Sequence, residues 1–155
     1  MSAAARRPTR SPQPLSAEDV QRRLPLLRAI VSDITRLHRD LADRRDRVAV
    51  IRKLPGGKRQ EGSVYAEELE QIEQEIRRDD ETLRGYVGEL ENLGGILRDA
   101  DEGRIEFAGR SDGRKVFFGW RLGSDDLAYW RPFDSDESDR HPLLEGSVSQ
   151  DDDVT

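Results

Sequence analysis

The chain of 155 residues contains no cysteine. Disulfides, thiolate nucleophiles and cysteine-based zinc sites are thereby excluded, and the composition fits a reducing cytoplasm, the location expected. Histidine is almost as scarce, with only His38 and His141. A metal site would have to borrow ligands from a partner or lean on carboxylates. No apolar run approaches the ~18 residues that cross a bilayer. The N-terminal arginines are not followed by the hydrophobic stretch of a secretory signal, so none is expected. Aromatics are only 6% of residues, so the place of each carries information.

Charge is abundant and unevenly distributed. Residues 1–14 are rich in Pro, Ser and Arg, with Arg6, Arg7 and Arg10 giving +3. Residues 134–155 hold eight carboxylates against Arg140, a charge of −7. Neither segment can bury enough apolar surface to offset chain entropy, so both are expected to be disordered tails. The acidic tail, with Ser135, Ser138, Ser147 and Ser149, reads as a solubilising appendage. Residues 15–133 form the expected single domain, with a net charge of −2 out of the formal −6.

The domain opens with helix signals. Ser16 suits an N-cap with Asp19 three residues on, and Leu15 and Val20 are spaced for a hydrophobic staple. Pro25 favours a break, predicting helices over 17–23 and 25–53. Apolar residues then recur at Leu27, Ile30, Ile34, Leu37, Leu41, Val48 and Ile51, with Arg44 in the row. A second seam runs through Tyr65, Leu69, Ile72, Ile76, Leu83, Tyr86, Leu90 and Leu93, with Asp79 in the row, predicting a helix over 64–93. Alternating steps of three and four are the coiled-coil-like signature. A short loop joins the seams, so an antiparallel helical hairpin is the natural arrangement. Facing residues that sum to about 117 would pair Leu27 with Leu90 and Val48 with Leu69. The same register sets Arg44 beside Glu73 and His38 beside Asp79. Residues 36–59 carry +6 and residues 61–81 carry −7, so folding back lays unlike charges side by side.

Beyond Gly94 the period becomes two. Strands are predicted over 104–109, 114–121 and 126–131, with Asp112-Gly113 as a tight hairpin turn. Six of the nine aromatics lie between Lys115 and Phe133. Alternation turns Val116, Phe118, Trp120 and Leu122 toward the helices and Lys115, Phe117, Gly119 and Arg121 away. The fold class is α+β: a long helical hairpin plus a small three-stranded antiparallel β-meander.

This combination resembles a bacterial family, domain of unknown function 2203, over residues 15–143. The hairpin, Leu24-Pro25-Leu26-Leu27, Asp112-Gly113, Trp120-Arg121-Leu122-Gly123, Trp130 and, more weakly, Arg140-His141-Pro142-Leu143 carry the resemblance. The family has no assigned activity. Its members commonly carry Cys, Glu and His where this chain has Gly119, Ser124 and Arg131, so a site built from those three would be absent here.

No catalytic or cofactor-binding residue stands out. The preferred reading is an interaction or scaffold module that meets another copy or an unidentified protein. Phe117, Arg121, Trp130 and Arg131 are its candidate surface, and His38, Asp79, Arg44 and Glu73 a structural polar seam. A second stripe, Val31, His38 and Arg45, would meet a second hairpin or the sheet. The competing class is a small enzyme or metal-binding protein using Asp99, Asp101, Glu102 and Asp112, residues more simply read as turn formers. A lesser alternative is nucleic-acid binding through Arg44-Arg45-Asp46-Arg47 and the aromatics. Gly56-Gly57-Lys58-Arg59 lacks the Ser/Thr and the preceding strand of a phosphate loop.

Overall fold

The computed structural model describes residues 15–54 and 64–143. The expected tail 1–14, residues 144–155 of the acidic tail and the connection 55–63 lie outside the described residues. Two helices, α1 (Ala17–Lys53) and α2 (Val64–Asn92), precede a sheet of five strands. These are β1 (Gly95–Asp99), β2 (Arg104–Ser111), β3 (Arg114–Arg121), β4 (Tyr129–Pro132) and β5 (His141–Pro142). They pair in sequence order, and every pairing is antiparallel. The α+β class holds, but the meander has five strands instead of three.

The capping box forms as its spacing predicts. The Asp19 backbone N–H donates to Ser16 Oγ at 3.1 Å, and the Ser16 N–H donates to Asp19 Oδ2 at 3.0 Å. Pro25, however, does not end the helix: one helix spans Ala17–Lys53, correcting the expected break between 17–23 and 25–53. Proline removes one hydrogen bond to the preceding turn. Pro25 lies on the exposed side, where water can take up the carbonyl it leaves unpaired, while Leu24 and Leu27 beside it are buried. Burial of the apolar side outweighs one backbone bond.

The base of the hairpin packs on the sheet. Val20, Leu24, Leu27, Ile30, Val31 and Ile34 of α1 share a core with Leu90, Ile105, Phe107, Val116, Phe118 and Trp120. The expected inward set of β3 is thus the inner face, and Val31 meets the sheet. Trp120 is fully buried and satisfies its indole N–H on the Ser124 carbonyl at 3.0 Å. Asp112 and Gly113, at φ of 54° and 78°, make the two-residue turn between β2 and β3.

Two strands escaped the sequence reading. Ile96-Leu97 belongs to β1, paired with Ile105 and Glu106. His141-Pro142 forms β5 against Tyr129 and Trp130, and the Leu143 N–H donates to the Ala128 carbonyl at 3.0 Å. Residues 134–143, expected in the tail, therefore return to the sheet.

The far half of the hairpin stands apart. Thr35 Oγ1 donates to the Ala100 carbonyl at 3.0 Å and Arg39 reaches Asp101, among the described residues the last polar ties from α1 to the sheet region. A separate small core of Val48, Ile51 and Ile72, with Leu69 and Ile76 against it, holds the tip. At a rise of 1.5 Å per residue α1 is about 55 Å long, so roughly its last third forms a two-helix arm.

Candidate functional site

Two regions concentrate chemistry: the outer face of the sheet and the sides of the arm. On the outer face, Glu106 lies between Ile105 and Phe107 in β2, opposite Gly119 of β3. Strand alternation aims its carboxylate away from the helical core, yet it is fully buried. Arg131 holds it with two bonds, Nε to Oε2 and Nη2 to Oε1, each 2.8 Å. Arg98 Nε donates to Oε1 at 2.8 Å, and the Tyr129 hydroxyl donates to Oε2. Arg104 links the cluster outward, reaching the Tyr129 hydroxyl at 3.4 Å and Glu137 at 3.0 Å.

The electrostatics follow from this crowding. Burial drives the Glu106 pKa up, but hydrogen bonds from Arg131, Tyr129 and Arg98 outweigh it and hold the group at about 2. Burial, reinforced by the Glu106 carboxylate, raises Tyr129 to about 12. A carboxylate that already accepts four donors is a poor base and a poor metal ligand. The arrangement suits positioning: it pins β1, β2 and β4 together, and Arg131 Nη1 ties down the Ser135 carbonyl at 2.6 Å.

This network corrects the expected surface. Phe117 does face away from the helices, but it is only 8% exposed. Phe133 stacks on it at 4.7 Å and the Arg131 guanidinium lies over its ring at 4.4 Å. Arg131 is 4% exposed, held by Glu106. Trp130 is half-buried; it packs against the inner core and stacks on His141 at 4.5 Å. Arg121 alone of the four is open, 3.9 Å from Glu102. Gly119 is explained by packing: a Cβ there would lie 2.1 Å from the Tyr129 ring. Gly119 and Arg131 thus share the covered face, while Ser124 lies in the turn after β3, its carbonyl accepting from Trp120 and Arg28.

The polar seam is also re-paired. Arg44 bonds Asp79, and Glu73 bonds Arg52 instead of Arg44. Asp79 is therefore taken by an arginine and not by His38, which is half-buried on α1. Arginine side chains reach across more than a turn, so opposite charge alone does not fix a register. The carboxylates at the β1–β2 connection act as turn formers: Asp99 Oδ1 accepts from the Asp101 and Glu102 backbone N–H groups at 2.9 and 3.1 Å. Asp101 pairs with Arg39 at 3.3 Å, and Asp112 sits in the hairpin turn. Among the described residues, no three of His, Asp and Glu stand together as a metal would require.

Sequence reasoning missed Glu106, Arg98 and Tyr129. A signal was present: a glutamate between Ile105 and Phe107, opposite a mid-strand glycine, shares a face with Phe117 and Arg131.

A single-seam helical arm set on an antiparallel sheet defines an α+β protein with a projecting hairpin. The chain belongs to the family described as an uncharacterized conserved protein (DUF2203), which matches residues 15–143. No curated protein and no solved structure matches it. No helix among the described residues is long and apolar enough to cross a membrane.

Proposed function

We propose that this protein is a non-enzymatic interaction module and that its helical arm is the docking element. The observation that carries this reading is the arm's isolation. Among the described residues, Val48, Ile51 and Ile72 form a cluster with Leu69 and Ile76, separate from the core shared with the sheet. Such a pair has open flanks, and a second helical surface laid along them would complete a small bundle. Val50 and Tyr65, 60% and 41% exposed, are apolar surface on the same arm. The covered outer face of the sheet, with its fully satisfied Glu106, supports a scaffold role for the base.

Affinity copurification tests this with two variants beside the unaltered chain. Ala49→Glu places a charge on the arm's flank, and Trp130→Ala alters the sheet. Loss of the same bound chain with Ala49→Glu and its retention with Trp130→Ala is expected. Retention with the arm variant, or loss only with the sheet variant, moves the docking site off the arm and overturns the proposal.

A further inference from the structure

The two flanks of the arm are not alike. One side is a groove of about 540 Å³ lined by Arg44, Arg47, Glu67, Glu68, Gln71, Ile72 and Glu75, a lining charge of −1. The other is a groove of about 530 Å³ with Val48, Ala49 and Ile76 on its floor. Its rim carries Arg45, Arg52 and Arg77 against Glu73, a charge of +2. Helical geometry separates these sets, because around α1 Arg44 and Arg47 lie on one side of Val48 and Arg45, Ala49 and Arg52 lie on the other. Ion-pair partners preserve the contrast. Asp79 bonds Arg44, taking the first side to −2, while Asp80 is shared between Arg45 and Arg84, leaving the second at +2.

We infer that the occupant of each groove is a second copy of this chain, stacked back to front so that the acidic side of one arm meets the basic side of the next. The inference rests on the reading of the arm as the docking element and adds the partner's identity. A two-fold dimer would set a side against another of the same net charge. Opposed, complementary sides instead define a heterologous contact, which repeats until it closes into a ring or continues as a filament. The exposed Ala49 and half-buried Ile76 supply apolar contact on the basic side, while the buried Ile72 and Val48 only floor the two grooves. Among the described residues, Glu67, Glu75 and Arg77 have no ion-pair partner within 4.0 Å in their own chain and remain for the neighbour.

Sedimentation velocity on the full chain, over a range of concentrations and at low and high salt, tests this. The average mass should rise with concentration past that of two chains. It should fall back at ~1 M salt, where the screening length is only about 3 Å. Arg45→Gln with Arg77→Gln neutralises the basic lining; Glu67→Gln with Glu75→Gln removes the acidic one. Each double variant alone should remain a folded monomer with an unchanged helical circular-dichroism signal. An equal mixture should give a one-to-one complex and nothing larger, because each variant keeps one working side. A chain that is monomeric at every concentration overturns the inference, as does a dimer that persists in either variant or that mixing fails to rebuild. Should the chain be monomeric while a different copurified protein is lost with Ala49→Glu, stacking fails and the arm's docking role stands.

Discussion

The base and the arm of this molecule are made of the same two helices and are stabilised by different means. At the base, α1 lies on a sheet, and Val20, Leu27, Val31 and Ile34 have no exposed surface. On the arm, among the described residues, the helices pack on each other, and its small core of Val48, Ile51 and Ile72 stays 6–9% exposed. The base also buries charge, whereas the arm keeps its ion pairs at the surface. Context sets the strength of an interaction more than the identity of its atoms.

The comparison is broken most severely at the base. Trp120→Ala would remove the largest fully buried side chain and leave a cavity among α1, β2 and β3. A loss of about 3–5 kcal/mol is expected, measured by urea denaturation. A loss below about 1 kcal/mol would mean that the base is not the stable half.

Next in size is the buried charge. Arg131→Ala would strand Glu106, leaving a fully buried carboxylate without its two-bond partner. About 3 kcal/mol is expected. Glu106→Gln should cost less, since it removes the charge while keeping the shape. The same cluster sets a pH dependence. Glu106 titrates at about 2 in the fold against an ordinary 4.5, so its stabilisation is full above 4.5 and drains away as pH falls toward 2. Its size is about 3 kcal/mol. Tyr129 adds the opposite limit: its pKa rises from 10.0 to about 12, so stability falls as pH climbs through that range. Glu106→Gln should flatten the acid limb of a melting-temperature profile; an unchanged limb would assign acid sensitivity elsewhere.

These regions also differed in how far the sequence disclosed them. The seams were legible because Leu27, Ile34, Leu41, Val48 and their partners repeat at helical spacing, and the inner sheet face because Val116, Phe118 and Trp120 alternate. The pairing Arg44–Asp79 was not, since a seam repeating every 3.5 residues matches itself after each slip and long arginines bridge several registers. The break at Pro25 was wrong because a local cost was weighed without the burial of Leu24 and Leu27. β5 was invisible, as two residues carry no period. The outer face misled most. A buried ion cluster alternates in sequence as an exposed polar face does, so Phe117 and Arg131 read as surface. Phe133 and the Arg98 and Arg131 guanidiniums cover Phe117, while Glu106 and the Ser135 carbonyl hold Arg131.

On the arm, Ile72→Ala would truncate one of the three buried side chains of the small tip core. About 2 kcal/mol is expected, at the low end for such a truncation because neighbours at an edge can close in. Amide exchange should show the loss confined to residues 41–53 and 64–79, with the base still protected. A loss of protection spread evenly to β2 and β3 would show that the arm and base unfold as one unit, removing the distinction between them.

The smallest effect separates the two regions most sharply. Arg44–Asp79 joins the same kinds of group as Arg131–Glu106, yet its side chains are 30% and 27% exposed against 5% and 0%. Hydrogen bonding to Asp79 raises the Arg44 pKa, against the pull of burial. Water still solvates both partners, however, and each long side chain gives up freedom to make the contact. Arg44→Ala should therefore cost about 0.5–1 kcal/mol, and less as salt is raised. Asp79 can return to water once the arginine is gone; Glu106, when Arg131 is gone, cannot. Denaturation at low and at ~1 M salt measures the contrast. A salt-insensitive loss as large as that of Arg131→Ala would mean that the arm's flank is already shielded from water by another chain.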